Sequence, residues 1–415
     1  MDDSAGAWPT TRRATRGTIL AFGENPWNEY WQTRQHILSR LPELGWRVGY
    51  TTGVVSRWDI GKTPWLDAPW LSRARLLDGV TVLEAGRIEA QTNFWPALDL
   101  HLLNLFAHRF ERCVRGSESG PLIAYFFGHR FLPYLAALPP CKVVFHADDN
   151  APAMNGWTAA QTPQRAALIA RADRIFATTS GVVDSLGPEA IGKTVLLPNG
   201  GDAESFDAGR LVPCPADLAA IPRPRIAYVG SLNDKVDFAL IDRMATARSD
   251  WHWVLVGKTW PAERLRPEAR APLQRCLAHA NVHFLGTKPY WELPAYCAHV
   301  DVNTMVYRTD GDGWWRDIYP LKLHEYLAAG PAVVSSDVPA IRPFGDVVSI
   351  CDSDQAWLDG IANAVAENGK SALRRLSIAR ANTWDQRVQH VDRTLRVLLR
   401  SKAGRASCPS MRHQP

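Results

Sequence analysis

Lysine is scarce in this 415-residue chain, supplying nine of its 47 basic residues, at 62, 142, 193, 235, 258, 288, 322, 370 and 402. A lysine at a motif position is therefore more informative than usual. Long apolar runs are missing as well. No window approaches 18 consecutive apolar residues, which argues against a membrane-spanning helix, and residues 1–16 are polar and rich in Ala, Thr and Arg, unlike a secretory leader. The chain reads as soluble, or as touching a membrane only at its surface. The cysteines at 113, 141, 214, 276, 297, 351 and 408 form neither a CxxC pair nor zinc-ligand spacing, so a disulfide scaffold is excluded and a reducing compartment fits best. The net charge of +5 is spread without a long basic run, too dilute to nominate a nucleic-acid binder. Hydrophobic residues at 46% and charged residues at 21% are those of a globular protein, and the length favours two domains.

What is present is an alternation of short apolar runs with helical periodicity. TILAFG (18–23), a helix from about Tyr30 to Leu44, and RVGYT (47–51) form a β-α-β opening. VTVLEA (80–85), LIAYFF (122–127), KVVFHA (142–147), RIFATT (174–179) and TVLLP (194–198) continue it. Residues 199–224, rich in Gly, Pro and Asp, read as an interdomain linker. The pattern then restarts with RIAYVG (225–230), a helix over 236–247, HWVLVG (252–257), VHFLG (282–286), a helix near 290–299, VDVNTMV (300–306), a helix over 320–329 and PAVVSS (331–336). Strands that are apolar throughout and separated by helices imply buried parallel sheets. The expected fold is α/β, with two doubly wound Rossmann-like domains, 17–198 and 225–380, facing a central cleft. A last helix, 381–400, is expected to cross back to the first domain, with disordered ends at 1–16 and 401–415.

The segment DIYPLKLHEYLAAG (317–330) carries the most chemistry. Pro320 suits a helix start and Gly330-Pro331 a stop. A helix start offers free N–H groups and positive potential to a phosphate. Lys322 and Glu325, three apart, share a face, so a cation and a carboxylate can both reach a ligand over the first turns; the alternative is a solvated surface pair.

The carboxylates Asp317 and Glu325, followed by EYLAAGPAVVSSD (325–337), resemble the signature of retaining glycosyltransferases of the GT-B fold, especially family 4. PNGGDAESF (198–206) and NVHFLGTKPYWELPAYCAHVDV (281–302) are similar to two further elements of that family. The resemblance implies that Glu325 binds the donor ribose, that Asp317 sits beside the transferred sugar, and that the backbone of Ile318, Tyr319, Pro320 and Leu321 holds pyrophosphate with Lys322. Lys235 matches one member of the family's Arg and Lys pair that neutralises the leaving diphosphate. Ser231 stands where the Arg is usual, with Arg316 and Arg308 as candidate replacements.

HADDN (146–150) ends a strand, a favoured position for chemistry. It reads as a metal-binding acidic motif, as the site of a general base, or as a turn. Similarity to bacterial enzymes of teichuronic acid and xanthan assembly implies Asp149 as the base, ahead of Asp148, with His146 third and grouped with the acceptor site. In GENPWNEYWQTRQH (23–36), Asn25, Trp27 and Arg34 are candidates to face an acceptor sugar, with core packing as the alternative for Trp27 and Trp31. FWPALDLHLLNLFAHRFERCVR (94–115) sets Leu98, Leu102, Leu105 and Phe106 at helical spacing ahead of Arg109, Arg112 and Arg115. With TPWLDAPWLSRARLL (63–77) it reads as a membrane-surface face or a packed helix.

The expectation is thus a metal-independent hexosyltransferase without a resident cofactor. It would use a nucleotide-sugar donor, a UDP-sugar by preference, and a carbohydrate or lipid-linked saccharide acceptor, in bacterial cell-surface polysaccharide synthesis. Its place would be the cytoplasm, at the inner face of the cell membrane if the acceptor is lipid-linked. A hydrolysing sugar-nucleotide epimerase of the same fold and a non-catalytic scaffold subunit are the alternatives.

Overall fold

A computed structural model describes residues 15–28, 31–311 and 313–401. The ends expected to be disordered lie outside the described residues, except for Thr15, Arg16 and Ser401. Arg16 is anchored, its N–H bonding the Gly45 carbonyl at 2.9 Å and its guanidinium pairing with Asp392.

The first lobe is built on β1 (Gly17–Phe22), β2 (Trp46–Thr51), β3 (Arg73–Leu77), β4 (Val80–Glu84), β5 (Leu122–Phe126), β6 (Lys142–Ala147), β7 (Arg174–Ala177) and β8 (Thr194–Leu196). Their order in the sheet is β3-β4-β2-β1-β5-β6-β7-β8. All pairings are parallel except β3 with β4. β1 is buried along its whole length, with Ile19 opposite Val48 on one side and Ile123 on the other. The second lobe holds β9 (Arg225–Val229), β10 (His252–Val256), β11 (Val282–Gly286), β12 (Val302–Met305), β13 (Ala332–Ser336) and β14 (Val348–Cys351), ordered β11-β10-β9-β12-β13-β14 and parallel throughout. That order reverses between β9 and β12, so a crevice opens beyond their carboxyl ends, where open parallel sheets bind ligands.

The expected α/β architecture is present, with local differences. Residues 199–224 are not a loose linker. They contain helices Ala203–Ala208 and Ala216–Ala219, and Ala203, Phe206, Leu218 and Ile221 are buried in the second lobe's core. Gly/Pro/Asp density marked the breaks between these helices and hid their apolar positions. β3 escaped the periodicity because it is an edge strand with exposed side chains. Its Asp78-Gly79 turn into β4, with φ of 49° and 76°, is the left-handed geometry that favours such a pair in a hairpin. The helix expected over 30–44 is shorter, Thr33–Leu38, followed by a turn at Pro42–Leu44 that ends at left-handed Gly45; Tyr30 lies outside the described residues.

The helix Pro96–Arg115 packs through Leu103, Phe106, Phe110 and Val114, while Leu98 and Leu105 of the expected stripe are exposed. A Cβ on Gly49 of β2 would overlap Val114, so glycine there lets this helix approach the sheet. The last helix, Trp384–Arg400, buries Trp384, Val388, Val391, Leu395 and Leu398 in the first lobe's core. Among the described residues no helix is long and apolar enough to cross a membrane.

Candidate active site between the lobes

The carboxyl ends of the two sheets face each other across a cleft of about 1500 Å³. Its second-lobe wall is built by the helix Lys322–Ala329 and the turns after β9 and β10. Leu321 is the N-cap, so the helix begins just after Pro320 rather than at it. Lys322 is only 8% exposed, and its ammonium has no hydrogen-bond partner. It lies 3.5 Å from the centre of the Tyr228 ring, whose π face offsets part of the cost of burying the charge. Burial, and then Lys235, hold its pKa well below the ordinary lysine value. A Cβ on Gly230 would come within 2.5 Å of Lys322 Nζ. Glycine at the end of β9 thus leaves the ammonium open to the cleft.

Glu325 is equally buried and accepts a hydrogen bond from Tyr290 at 2.8 Å. Burial pushes its pKa up to about 8, partly opposed by the Tyr290 bond. Lys322 and Glu325 are therefore not a solvated surface pair. They are two buried, separately placed groups on one face, an arrangement that favours a ligand bringing both an anion and hydroxyl donors.

Ile318, Tyr319, Pro320, Leu321, Ser231 and Lys235 also line the cleft. The Lys235 ammonium lies 5.7 Å from the Trp314 ring centre, and burial lowers its pKa while Asp149 opposes that shift. The cation expected from Arg308 or Arg316 is not supplied by either. Arg308 makes two bonds to Asp310, at 2.9 and 2.8 Å, and Arg316 is exposed and directed at the Gly311 carbonyl. Lys258, after β10, lines the cleft instead. Its signal was available in the recurrence of a strand ending in Val-Gly, YVGS at 228–231 and VLVGK at 254–258, with one of the few lysines following the second.

Asp317 is the clearest departure. It does not line the cleft, and its carboxylate turns to the first lobe, accepting a 2.7 Å bond from Asn150. The place beside a transferred sugar that the resemblance implies is thus taken, for this carboxylate, by a contact with the first lobe.

The first-lobe wall carries Asp148 and Asp149 after β6, with Arg34, Asn25 and Trp27. Burial, then the charge of Asp149, raises Asp148 to about 7, and burial raises Asp149 against the pull of Lys235 and Arg34. Arg34 is 6% exposed, and its Nε has no partner. Trp27 is mainly a core residue, 4% exposed, with its indole N–H on Asp78 at 2.9 Å. His146 is excluded from the acceptor role expected of it. It is fully buried, hydrogen-bonded to Tyr125 at 2.7 Å, stacked on Phe127, and kept neutral by burial, which lowers its pKa to about 3. β6 is flanked by β5 and β7, and the ring meets the cleft only through Asp148, whose Oδ1 lies 3.4 Å from its Nε2. Among the described residues, no group of three or more His, Cys, Asp or Glu side chains is arranged to hold a metal.

The two lobes also meet at Asn199. Thr33 donates to its Oδ1 at 2.9 Å, and its Nδ2 donates to the Tyr319 carbonyl at 2.8 Å. Gly200 and Gly201 follow, where a Cβ would press on Trp384 N at 2.6 Å and on His324 Cβ at 2.6 Å respectively. This is the physical reason for the PNGG sequence.

The fold so defined is GT-B, the two-lobed architecture of nucleotide-sugar-dependent glycosyltransferases. Residues 223–367 match the family described as Glycosyl transferases group 1. The chain is 27% identical over 233 residues to a Bacillus subtilis protein named as a teichuronic acid biosynthesis glycosyltransferase, covering 52% of this chain and 55% of that one. It thus spans about half the length of that curated relative. Among solved structures, an E. coli trehalose-6-phosphate structure bound with UDP-2-fluoro glucose superposes with a TM-score of 0.66 at 13% identity, over 91% of this chain and 99% of that one. Sucrose-phosphate synthase from Thermosynechococcus elongatus gives 0.66 at 15%, over 92% and 99%. HepE of Anabaena in complex with UDP and glucose gives 0.65 at 15%, over 91% and 99%.

Proposed function

We propose that this protein is a glycosyltransferase that moves a hexose from a nucleoside diphosphate sugar, UDP-linked by preference, to a saccharide acceptor in cell-surface polysaccharide synthesis. The observation that carries the reading is the buried, unpartnered Lys322 ammonium facing the open side of Gly230, with Glu325 on the same helix face. A diphosphate supplies the missing partner for the one, and ribose hydroxyls supply donors for the other. UDP in two of the structural neighbours and the name of the Bacillus relative support the donor and the pathway.

In this reading the acceptor hydroxyl attacks the anomeric carbon, the bond from that carbon to the diphosphate oxygen breaks, and Asp149 takes the hydroxyl proton. Lys322, Lys235 and Lys258 offset the charge that develops on the leaving diphosphate. These lysines, with Arg34 on the opposite wall, make up for the arginine absent at Ser231 and favour an enzyme over a scaffold. We expect turnover to persist in chelator.

A lipid-linked acceptor is favoured by the exposure of Trp58 and Trp70 between β2 and β3, and of Phe94 and Trp95 between β4 and the helix Pro96–Arg115. Aromatic side chains of this kind suit a membrane–water interface. Flotation with anionic vesicles checks this, and Trp70→Ala with Trp95→Ala should reduce the bound fraction.

The test of the donor is a thermal-shift screen against UDP, GDP, ADP and their sugars. A ligand at 100 times its Kd should stabilise by roughly 2.7 kcal/mol. No shift with any nucleotide would overturn the reading, and a rearranged free sugar formed from donor alone would convert it to an epimerase.

A further inference from the structure

The loop that carries Asp149 is held from the opposite lobe at two points. Asn150 Nδ2 donates to Asp317 at 2.7 Å, and Asn155 Nδ2 donates to Asp234 at 2.6 Å. Each aspartate is itself held, one through its backbone and the other through its carboxylate. The Asp317 backbone carbonyl accepts from Thr179 Oγ1 at 2.7 Å, and Asp234, 2% exposed, accepts the Arg266 N–H at 2.7 Å. A Cβ on Gly181 would overlap Asp317 Oδ1 and stand 2.6 Å from its Cγ, so the first lobe has a seat for this carboxylate that only glycine leaves open. Asp234 adjoins Lys235, and three residues before Asp317 the Trp314 ring lies near the Lys235 ammonium. The second-lobe segments that grip the loop are therefore those that place the cation facing Asp149.

We propose that Asp317 and Asp234 are positioning residues that form a two-point latch on the Asp149 loop, so that closure of the lobes and placement of the base are a single event. Asp317 then acts through Asn150, not on the sugar. The inference rests on the functional reading above in taking Asp149 as the base; the latch itself rests on the interlobe geometry alone. Two Asn-to-carboxylate bonds, five residues apart on one loop, hold it on either side of the turn at Ala151–Ala153. One bond alone would leave the loop free to pivot about Asn150 or Asn155.

The test combines a readout that needs no substrate with one that does. Asn150→Ala and Asn155→Ala are made singly and together, with Gly181→Ala and the exchange Asn150→Asp/Asp317→Asn, which restores a donor and an acceptor in reverse. Small-angle X-ray scattering of the free protein should show a larger radius of gyration for the double variant and for Gly181→Ala, and recovery in the exchange. With a donor and acceptor, kcat should fall at least tenfold in the double variant while the UDP Kd by calorimetry stays within twofold, and the exchange should regain most of kcat. An unchanged radius in the variants overturns the latch whatever happens to activity. Asn150→Ala at wild-type kcat, with Asp317→Asn weakening nucleotide-sugar but not UDP binding and no rescue by the exchange, overturns it in favour of a sugar contact. Expansion of the variants while the wild type binds no nucleotide supports the latch and removes the glycosyltransferase reading instead.

Discussion

The two walls of the cleft are built in opposite ways. On the second-lobe side, Lys322 and Glu325 come from one turn of one helix, are buried to the same extent, and are both pushed by burial away from their charged forms: an amine with no hydrogen-bond partner and a lowered pKa, and a carboxyl pushed up to about 8. On the first-lobe side, Arg34 arrives from the loop and helix after β1, and Asp148 and Asp149 from the end of β6, and these groups perturb one another across the space between them. A wall preloaded with uncompensated groups is a wall waiting for ligand charge, because each group regains on binding what burial cost it. A wall of mutually adjusted acids and a cation is suited to holding and moving a proton. The contrast assigns binding to one lobe and chemistry to the other.

The largest effect that would break this division is at Asp149. Replacing it with Asn should lower kcat by about 10²- to 10⁴-fold, the range for loss of general base catalysis, with UDP affinity within twofold by calorimetry. Equal losses in kcat and affinity would show that both walls bind. Glu325→Ala comes next. Loss of a charged acceptor for hydroxyls costs about 1.5–3 kcal/mol per bond, or roughly ten- to 150-fold in donor Kd.

A pH titration sharpens the same point. Ionised Glu325 accepts from the ribose hydroxyls, so its titration should raise donor affinity as pH approaches about 8, while loss of the Lys322 proton, whose pKa burial lowers, opposes the rise; Glu325→Gln should remove the rising limb alone. The stability of the free protein should run the other way. The folded pKa lies above the ordinary 4.5, so the folded state binds the extra proton between these values, and Glu325's contribution declines as pH rises from 4.5 through about 8. The Gln variant should therefore lose less melting temperature than wild type between pH 6 and 9. The smallest effect is on free-protein stability in Lys322→Met. Removing a buried, unpartnered cation should raise the melting temperature by a few degrees while weakening UDP binding.

The asymmetry between the walls also governs what could be read without coordinates. Lys322 and Glu325 sit in one contiguous segment whose helix is bounded by Pro320 and Gly330, so their shared face follows from helical periodicity alone. Their burial does not follow. It comes from residues such as Tyr228 and Tyr290, which lie as much as about 100 residues away in the chain, while Gly230 keeps one side of the ammonium open. Lys258 was one repeat of a strand-end pattern away from being found.

On the first-lobe wall the acids were legible as strand-end residues. Which of HADDN faces the cleft was not, because a strand end covered on both faces hides one residue and presents its neighbour. His146 is sealed against Tyr125 and Phe127, while Asp148 and Asp149 reach the opening. The interlobe contact of Asp317 was hidden for a related reason. Its spacing from Glu325 describes one lobe, and its carboxylate answers to Asn150 and Gly181 in the other.

The amino-acid order alone determined the alternation of buried strands with helices, the division into two lobes, and the helix that carries a cation and a carboxylate on one face. These are local or periodic properties, set by apolar spacing, proline, glycine and caps within a few turns of chain. Tertiary structure alone decided which polar groups lost their water, which found partners, and which faced each other across the cleft. Those outcomes depend on desolvation and on contacts between segments far apart in the chain, and no short-range pattern encodes them.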